Sequence, residues 1–117
     1  LLNETILDMI LVGDSLGNVV LGYKTSIEVT LEEMTIFSAA VKRGAPDKFV
    51  IADLPFGSYS TFESGVNCAT KLFKDSAVEA IKLEGAYPFQ LQIIQRLVET
   101  GIPVMGHIGL TPQSVHE

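Results

Sequence analysis

The chain alternates between short β-rich apolar runs and longer segments in which apolar residues recur at helical spacing. Such alternation marks βαβ units, in which parallel strands are joined by crossover helices. Strands are expected over residues 8–12, 49–52, 80–83 and 103–106. Each is nearly continuous in apolar residues, as strands covered on both faces should be.

Three helices are expected between the strands. Thr30 and Glu33 have the spacing of a capping box; Leu31, Met34, Phe37 and Val41 then share a face, and Gly44 ends the segment. Ser60 and Glu63 repeat the capping-box spacing ahead of a second helix whose Phe62, Val66, Ala69 and Phe73 form a core-facing stripe. That stripe reads as ordinary packing rather than a cofactor box. The third helix begins at Pro88, which suits a first helical turn, carries Leu91, Ile94, Leu97 and Val98 inward, and ends at Gly101. With no low-complexity segment, linker or repeat beyond the βα alternation, residues 1–117 read as a single domain. Periodicity alone leaves open a barrel or a doubly wound open sheet.

Composition acts mainly by exclusion. A chain of 117 residues, 47% of them hydrophobic, can bury a core and is no disordered tail. A net charge of −6 with scattered acidic residues argues against nucleic acid as a partner, since that footprint needs basic clusters. Membrane association is not expected either: an apolar stretch such as Met9 to Val12 falls far short of the ~20 residues of a spanning helix, and no signal-peptide pattern opens the chain. The lone Cys68 cannot form an internal disulfide, which fits a reducing compartment. The chain opens on Leu1 rather than Met, and residues 113–117 trail out of a loop motif, so a longer parent protein is expected.

Chemistry in parallel α/β folds gathers at the carboxyl ends of strands. Here Asp14 and Ser15 follow the first strand, Asp53 closes the second, Lys82 and Glu84 flank the end of the third, and His107 follows the fourth. Three carboxylates converging at one mouth would repel one another, and a hard divalent cation lets them coexist. Magnesium fits best, because it keeps several waters, takes only one or two direct carboxylates and leaves positions for substrate oxygens. A 2-oxo acid could fill two such positions, and polarisation of its carbonyl would acidify the neighbouring C–H and ease formation of an enolate. Lys82 and His107 could hold the remaining negative charge.

Each residue also has a plainer role open to it. Asp14 can be a turn residue or cap, Asp53 a strand-terminating aspartate, and His107 a satisfied core histidine. Lys82 stands inside an otherwise apolar strand, so it requires a partner: either Glu84, in a purely structural pair, or a ligand anion. The stretch Gly13-Asp14-Ser15-Leu16-Gly17 lacks dinucleotide-fingerprint spacing, and no phosphate-cradling loop, C-x-x-C pair or H-E-x-x-H motif occurs.

Four segments then become recognisable in order: Val12-Gly13-Asp14-Ser15-Leu16-Gly17, Ala52-Asp53-Leu54-Pro55-Phe56, Lys82-Leu83-Glu84-Gly85, and the run from Gly106-His107 through Thr111-Pro112-Gln113-Ser114. Together they resemble the successive signatures of the ketopantoate hydroxymethyltransferase family, over practically the whole chain. The resemblance implies a parallel (β/α)8 TIM barrel of the phosphoenolpyruvate/pyruvate-like type, of which this chain supplies about half as a single partial barrel domain. It implies transfer of a hydroxymethyl group from 5,10-methylenetetrahydrofolate to 3-methyl-2-oxobutanoate, giving 2-dehydropantoate for pantothenate biosynthesis through a magnesium-stabilised enolate.

Carried over residue by residue, Asp14, Asp53 and Glu84 are metal ligands, with Glu84 acting directly or through water. Ser15 and Lys82 hold the oxo acid, Asp14 and Asp53 lie beside it, and His107 matches a histidine near the substrate. The resemblance further implies a homo-oligomer, decameric in bacterial members, and a cytoplasmic location, mitochondrial in a eukaryote. Ala86 stands where the family often has a second glycine, and Lys24 and Glu28 alter the linker after the first motif. The family's general-base glutamate belongs to a later strand and is missing from these residues. Two rivals stay open: a related magnesium-dependent 2-oxo-acid barrel enzyme, a mutase or lyase, and a non-catalytic half barrel that pairs through its sheet edges.

Overall fold

A computed structural model describes residues 9–13, 29–55, 57–85 and 87–107. Along them run β1 (Met9–Val12), α1 (Leu31–Gly44), β2 (Phe49–Asp53), α2 (Phe62–Ser76), β3 (Ala80–Glu84), α3 (Pro88–Glu99) and β4 (Val104–His107). The strands form one four-stranded sheet in the order β1-β2-β3-β4, every neighbouring pair parallel. The βα alternation expected from the pattern is therefore present, and the three described crossovers are helices. Consecutive helices pack on each other as well as on the strands.

Local signals account for most element ends. At α1 the capping box closes as expected: the Thr30 N–H donates to Glu33 Oε1 at 2.9 Å and the Glu33 N–H to Thr30 Oγ1 at 3.1 Å. Gly44 is the last helical residue rather than a left-handed stop. The cap is Ala45, whose N–H is shared between the carbonyls of Val41 and Lys42. The second helix starts differently from the Ser60–Glu63 expectation. Its N-cap is Thr61, whose hydroxyl accepts the Ser64 N–H at 3.1 Å, since two adjacent hydroxyl residues can both cap and backbone entry selects one.

The core stripe of α2 is Gly65, Ala69, Leu72 and Ser76, with Val66 and Phe73 flanking it. Phe62 stays exposed at the first turn. Gly65 is needed where α3 crosses, because a Cβ there would stand 2.6 Å from Ile93 Cδ1. In α3 the buried residues are Ile93 and Leu97, whereas Leu91 is 48% and Val98 55% exposed. This helix carries apolar residues on two faces, and only one of them rests on α2 and the sheet among the described residues. Its C-terminus closes with the Gly101 N–H on the Val98 carbonyl, the Ile102 N–H on the Leu97 carbonyl, and Gly101 at φ +97°. That is the paired hydrogen bonding of a Schellman motif, and it buries Ile102 beside Leu97.

Strand alternation divides the sheet into two unlike faces. Val12, Val50, Ala52, Ile81 and Leu83 join the helices in one core with Met34, Leu72, Ile93 and Leu97. Met9, Leu11, Phe49 and Met105 occupy the alternate positions and are exposed. The expectation that the strands are covered on both faces holds for β2, where Val50 to Asp53 are all buried, but not for β1, whose Met9 and Leu11 are exposed; the described helices pack on one face only. The helix-free face is the one a closed barrel turns inward.

Candidate functional site

The helix-free face changes character along its length. Toward the start of the strands it is apolar, with Met9 opposite Phe49 and Leu11 opposite Ile51. Toward the carboxyl ends it becomes charged. Asp53 is the register partner of Lys82, Lys82 that of Met105, and Glu84 that of His107. Parallel register partners project to the same side, so Asp53, Lys82 and Glu84 meet at one edge of the face. Each apolar run ends where a charged residue interrupts it, and that interruption is what places the charge at the mouth.

Lys82 Nζ lies 3.5 Å from Asp53 Oδ1 and 3.8 Å from Glu84 Oε1. The lysine therefore has two carboxylate partners rather than the single Glu84 partner considered from the sequence. Both separations exceed the ~2.7–2.9 Å of a charge-assisted hydrogen bond, so attraction acts across a gap. Side-chain exposure is 15% for Lys82 and 11% for Asp53, and rises to 32% for Glu84. Asp53 is thus the more buried of the two carboxylates, while Glu84 stands nearer the open rim.

Of the residues proposed from the sequence, Asp53, Lys82 and Glu84 are brought together. His107 is the last residue of β4 rather than a residue beyond it, beside Glu84 in the ladder. Asp14 and Ser15 lie outside the described residues. The strand that leads to them pairs Val12 with Ala52, the neighbour of Asp53.

The donor chemistry fits a hard divalent ion. The described part supplies two carboxylates, and magnesium characteristically takes one or two directly with water and substrate oxygens completing the shell. Among the described residues no group of three His, Cys, Asp or Glu side chains is placed to hold a metal by itself. The cleft formed by Phe62, Gln92, Gln95, Arg96 and Glu99 shares no residue with this cluster. No helix of the described residues is long and apolar enough to cross a membrane.

The sequence model of the ketopantoate hydroxymethyltransferase family matches residues 1–117. The chain belongs to that family. It is 56% identical over 117 residues to the 3-methyl-2-oxobutanoate hydroxymethyltransferase of Leptospira interrogans, covering 99% of this chain and 44% of that protein. To the enzyme of the same name from Thermotoga maritima it is 60% identical over 111 residues, covering 94% of this chain and 40% of the relative. The Synechococcus elongatus enzyme is 49% identical over 118 residues, with 100% and 44% coverage. The chain thus spans less than half the length of these curated relatives. Its parallel α/β sheet agrees with the TIM-barrel fold of ketopantoate hydroxymethyltransferases, of which it carries part.

Proposed function

We propose that the protein carrying this chain transfers a hydroxymethyl group from 5,10-methylenetetrahydrofolate to 3-methyl-2-oxobutanoate, and that this chain supplies the side that grips the oxo acid and a magnesium ion. Family membership supports the reaction class. The observation that carries the assignment of residues is the Asp53–Lys82–Glu84 cluster, in which one ammonium stands between two carboxylates at the carboxyl ends of adjacent strands.

In this reading Asp53 and Glu84, with Asp14, hold magnesium, which when bound polarises the keto group and acidifies the adjacent C–H. The Lys82 ammonium holds the carboxylate of the oxo acid and neutralises charge that the two aspartates and Glu84 would otherwise concentrate. Ser15 and His107 flank the substrate. Met105, exposed beside Lys82 in the ladder, offers apolar surface to the branched alkyl group. The proton leaves C3 to a glutamate supplied outside these residues, a positioned base contributing ~10²- to 10⁴-fold in rate.

Proton NMR of 3-methyl-2-oxobutanoate in D2O with magnesium tests this reading on the full-length protein. Deuterium should enter C3 with the parent protein, and Asp53→Asn should slow the exchange by on the order of 10²-fold or more, as loss of several kcal/mol of electrostatic stabilisation implies. Equal rates in parent and variant would remove Asp53 from the metal site. Absence of exchange in the parent would overturn the reaction itself.

A further inference from the structure

We propose that Gln90 is a positioning residue that braces Glu84 through the Gly85 turn; the inference rests on the reading of Glu84 as a metal-site carboxylate. Glu84 ends β3, the chain turns at Gly85, and α3 begins at Pro88, so the rim carboxylate is separated from its supporting helix by a short connection. Of Asp53 and Glu84, Glu84 has the more exposed side chain, and the turn that follows it adjoins its backbone directly.

Gln90 closes on that turn from two directions. Its side-chain Oε1 accepts the Tyr87 N–H at 2.9 Å, and its backbone N–H donates to the Tyr87 carbonyl at 2.9 Å. Both backbone groups of the residue ahead of the helix are therefore held by one glutamine. The same amide lies over Gly85, where a Cβ would overlap Oε1, Cδ and Nε2 of Gln90. Gly85 also sits at φ +105°, a conformation that L side chains rarely adopt. The amide thus occupies the space a side chain at position 85 would need, and the backbone next to Glu84 packs against it.

A ligand carboxylate held in place before the ion arrives binds it more tightly, and loss of a supporting partner typically weakens metal affinity roughly 10- to 100-fold. Removing the amide leaves Gly85 and Tyr87 less confined without touching Asp53 or Lys82.

The test is calorimetric titration of the full-length protein with magnesium in the presence of 3-methyl-2-oxobutanoate, together with hydrogen exchange at the Tyr87 amide. Gln90→Ala should raise the magnesium Kd roughly 10-fold or more and speed exchange at Tyr87, with kcat at saturating magnesium within about threefold of the parent. Gln90→Glu keeps an acceptor for the Tyr87 N–H and should restore a parent-like Kd. An unchanged Kd in Gln90→Ala, or a Kd raised equally in Gln90→Glu, overturns the brace. A fall in kcat without a change in Kd overturns it too. If the parent takes up magnesium and exchanges C3 while the variants match it, the brace alone fails. If the parent does neither, the functional reading beneath it fails.

Discussion

The two ends of the sheet hold their charges in different ways. At the start of the strands, Lys42 Nζ meets Glu79 Oε2 at 2.8 Å and also donates to the carbonyls of Lys48 at 2.8 Å and Pro46 at 3.1 Å. Glu79 in turn accepts the Val50 N–H through Oε1 at 2.7 Å and donates its own N–H to the Val50 carbonyl at 2.9 Å. This network ties the last turn of α1 to the beginnings of β2 and β3 with short, direct hydrogen bonds. At the carboxyl ends, Lys82 stands 3.5 and 3.8 Å from its two carboxylates. One end is tied by short hydrogen bonds; at the other the lysine stands off from both of its carboxylates. The contrast matches the division of labour in α/β barrels, where the amino-terminal face serves stability and the carboxyl-terminal face serves chemistry.

The sharpest way to break this contrast is a pair of substitutions, one at each end, read by both activity and stability. Lys82→Arg keeps the positive charge between Asp53 and Glu84 but replaces a compact ammonium with a planar fork. Displacement of a positioning group by ~1 Å can lower rate roughly 10²-fold, so kcat/KM should fall by about that factor while the urea midpoint changes little. Were stability lost and activity kept, the mouth would be a structural ion pair. Glu79→Ala should do the opposite. It leaves the N–H of the fully buried Val50 without its carboxylate partner, which costs about 1–3 kcal/mol in urea unfolding, while kcat per folded molecule stays near the parent value.

The same carboxylate gives the amino-terminal end a pH signature. Burial alone would raise the Glu79 pKa, but hydrogen bonds from the Lys42 ammonium and the Val50 amide, with the lysine's charge, outweigh it and hold the group below its ordinary 4.5. The folded form then releases this proton more readily than the unfolded chain. Its contribution to stability is full above the unfolded-state value and disappears as pH falls through the folded-state value. Urea midpoints measured from pH 7 to pH 3 should therefore decline more for the parent than for Glu79→Gln. Parallel declines in the two proteins would mean that this group adds no pH dependence.

What could be read in advance follows the same spatial logic. The Thr30–Glu33 box is a local event between near neighbours, so the sequence pattern was enough for it. The carboxyl-end cluster was legible because Asp53, Lys82 and Glu84 each interrupt an apolar run, and a parallel sheet brings such interruptions to one side. The choice of Thr61 over Ser60 depends on the path of the chain into α2, and the choice of Ile93 over Leu91 and Val98 depends on which face of α3 meets Gly65. Neither is encoded in spacing. Nothing in the sequence pattern links Lys42 and Glu79, because they belong to different parts of the chain and meet only after α1 has packed over β2. Nor does the pattern mark Gln90, because its amide meets Gly85 only once α3 is in place.

A smaller substitution asks whether the amino-terminal end can be tightened without disturbing the mouth. Ala77, between α2 and β3, adopts φ 61° and ψ 25°, the left-handed conformation that glycine accepts without a Cβ penalty. It lies two residues before Glu79, on the side of the sheet away from Asp53 and Glu84. Ala77→Gly should relieve the strain at this cap and raise stability by about 0.5–1 kcal/mol, the left-handed penalty being partly offset by the greater freedom of glycine in the unfolded chain. Because the relief occurs at the amino-terminal end, C3 exchange and magnesium affinity should match the parent. A gain in stability accompanied by altered magnesium affinity would show that the two ends are mechanically coupled through β3, and the division between a stabilising end and a reacting end would have to be redrawn.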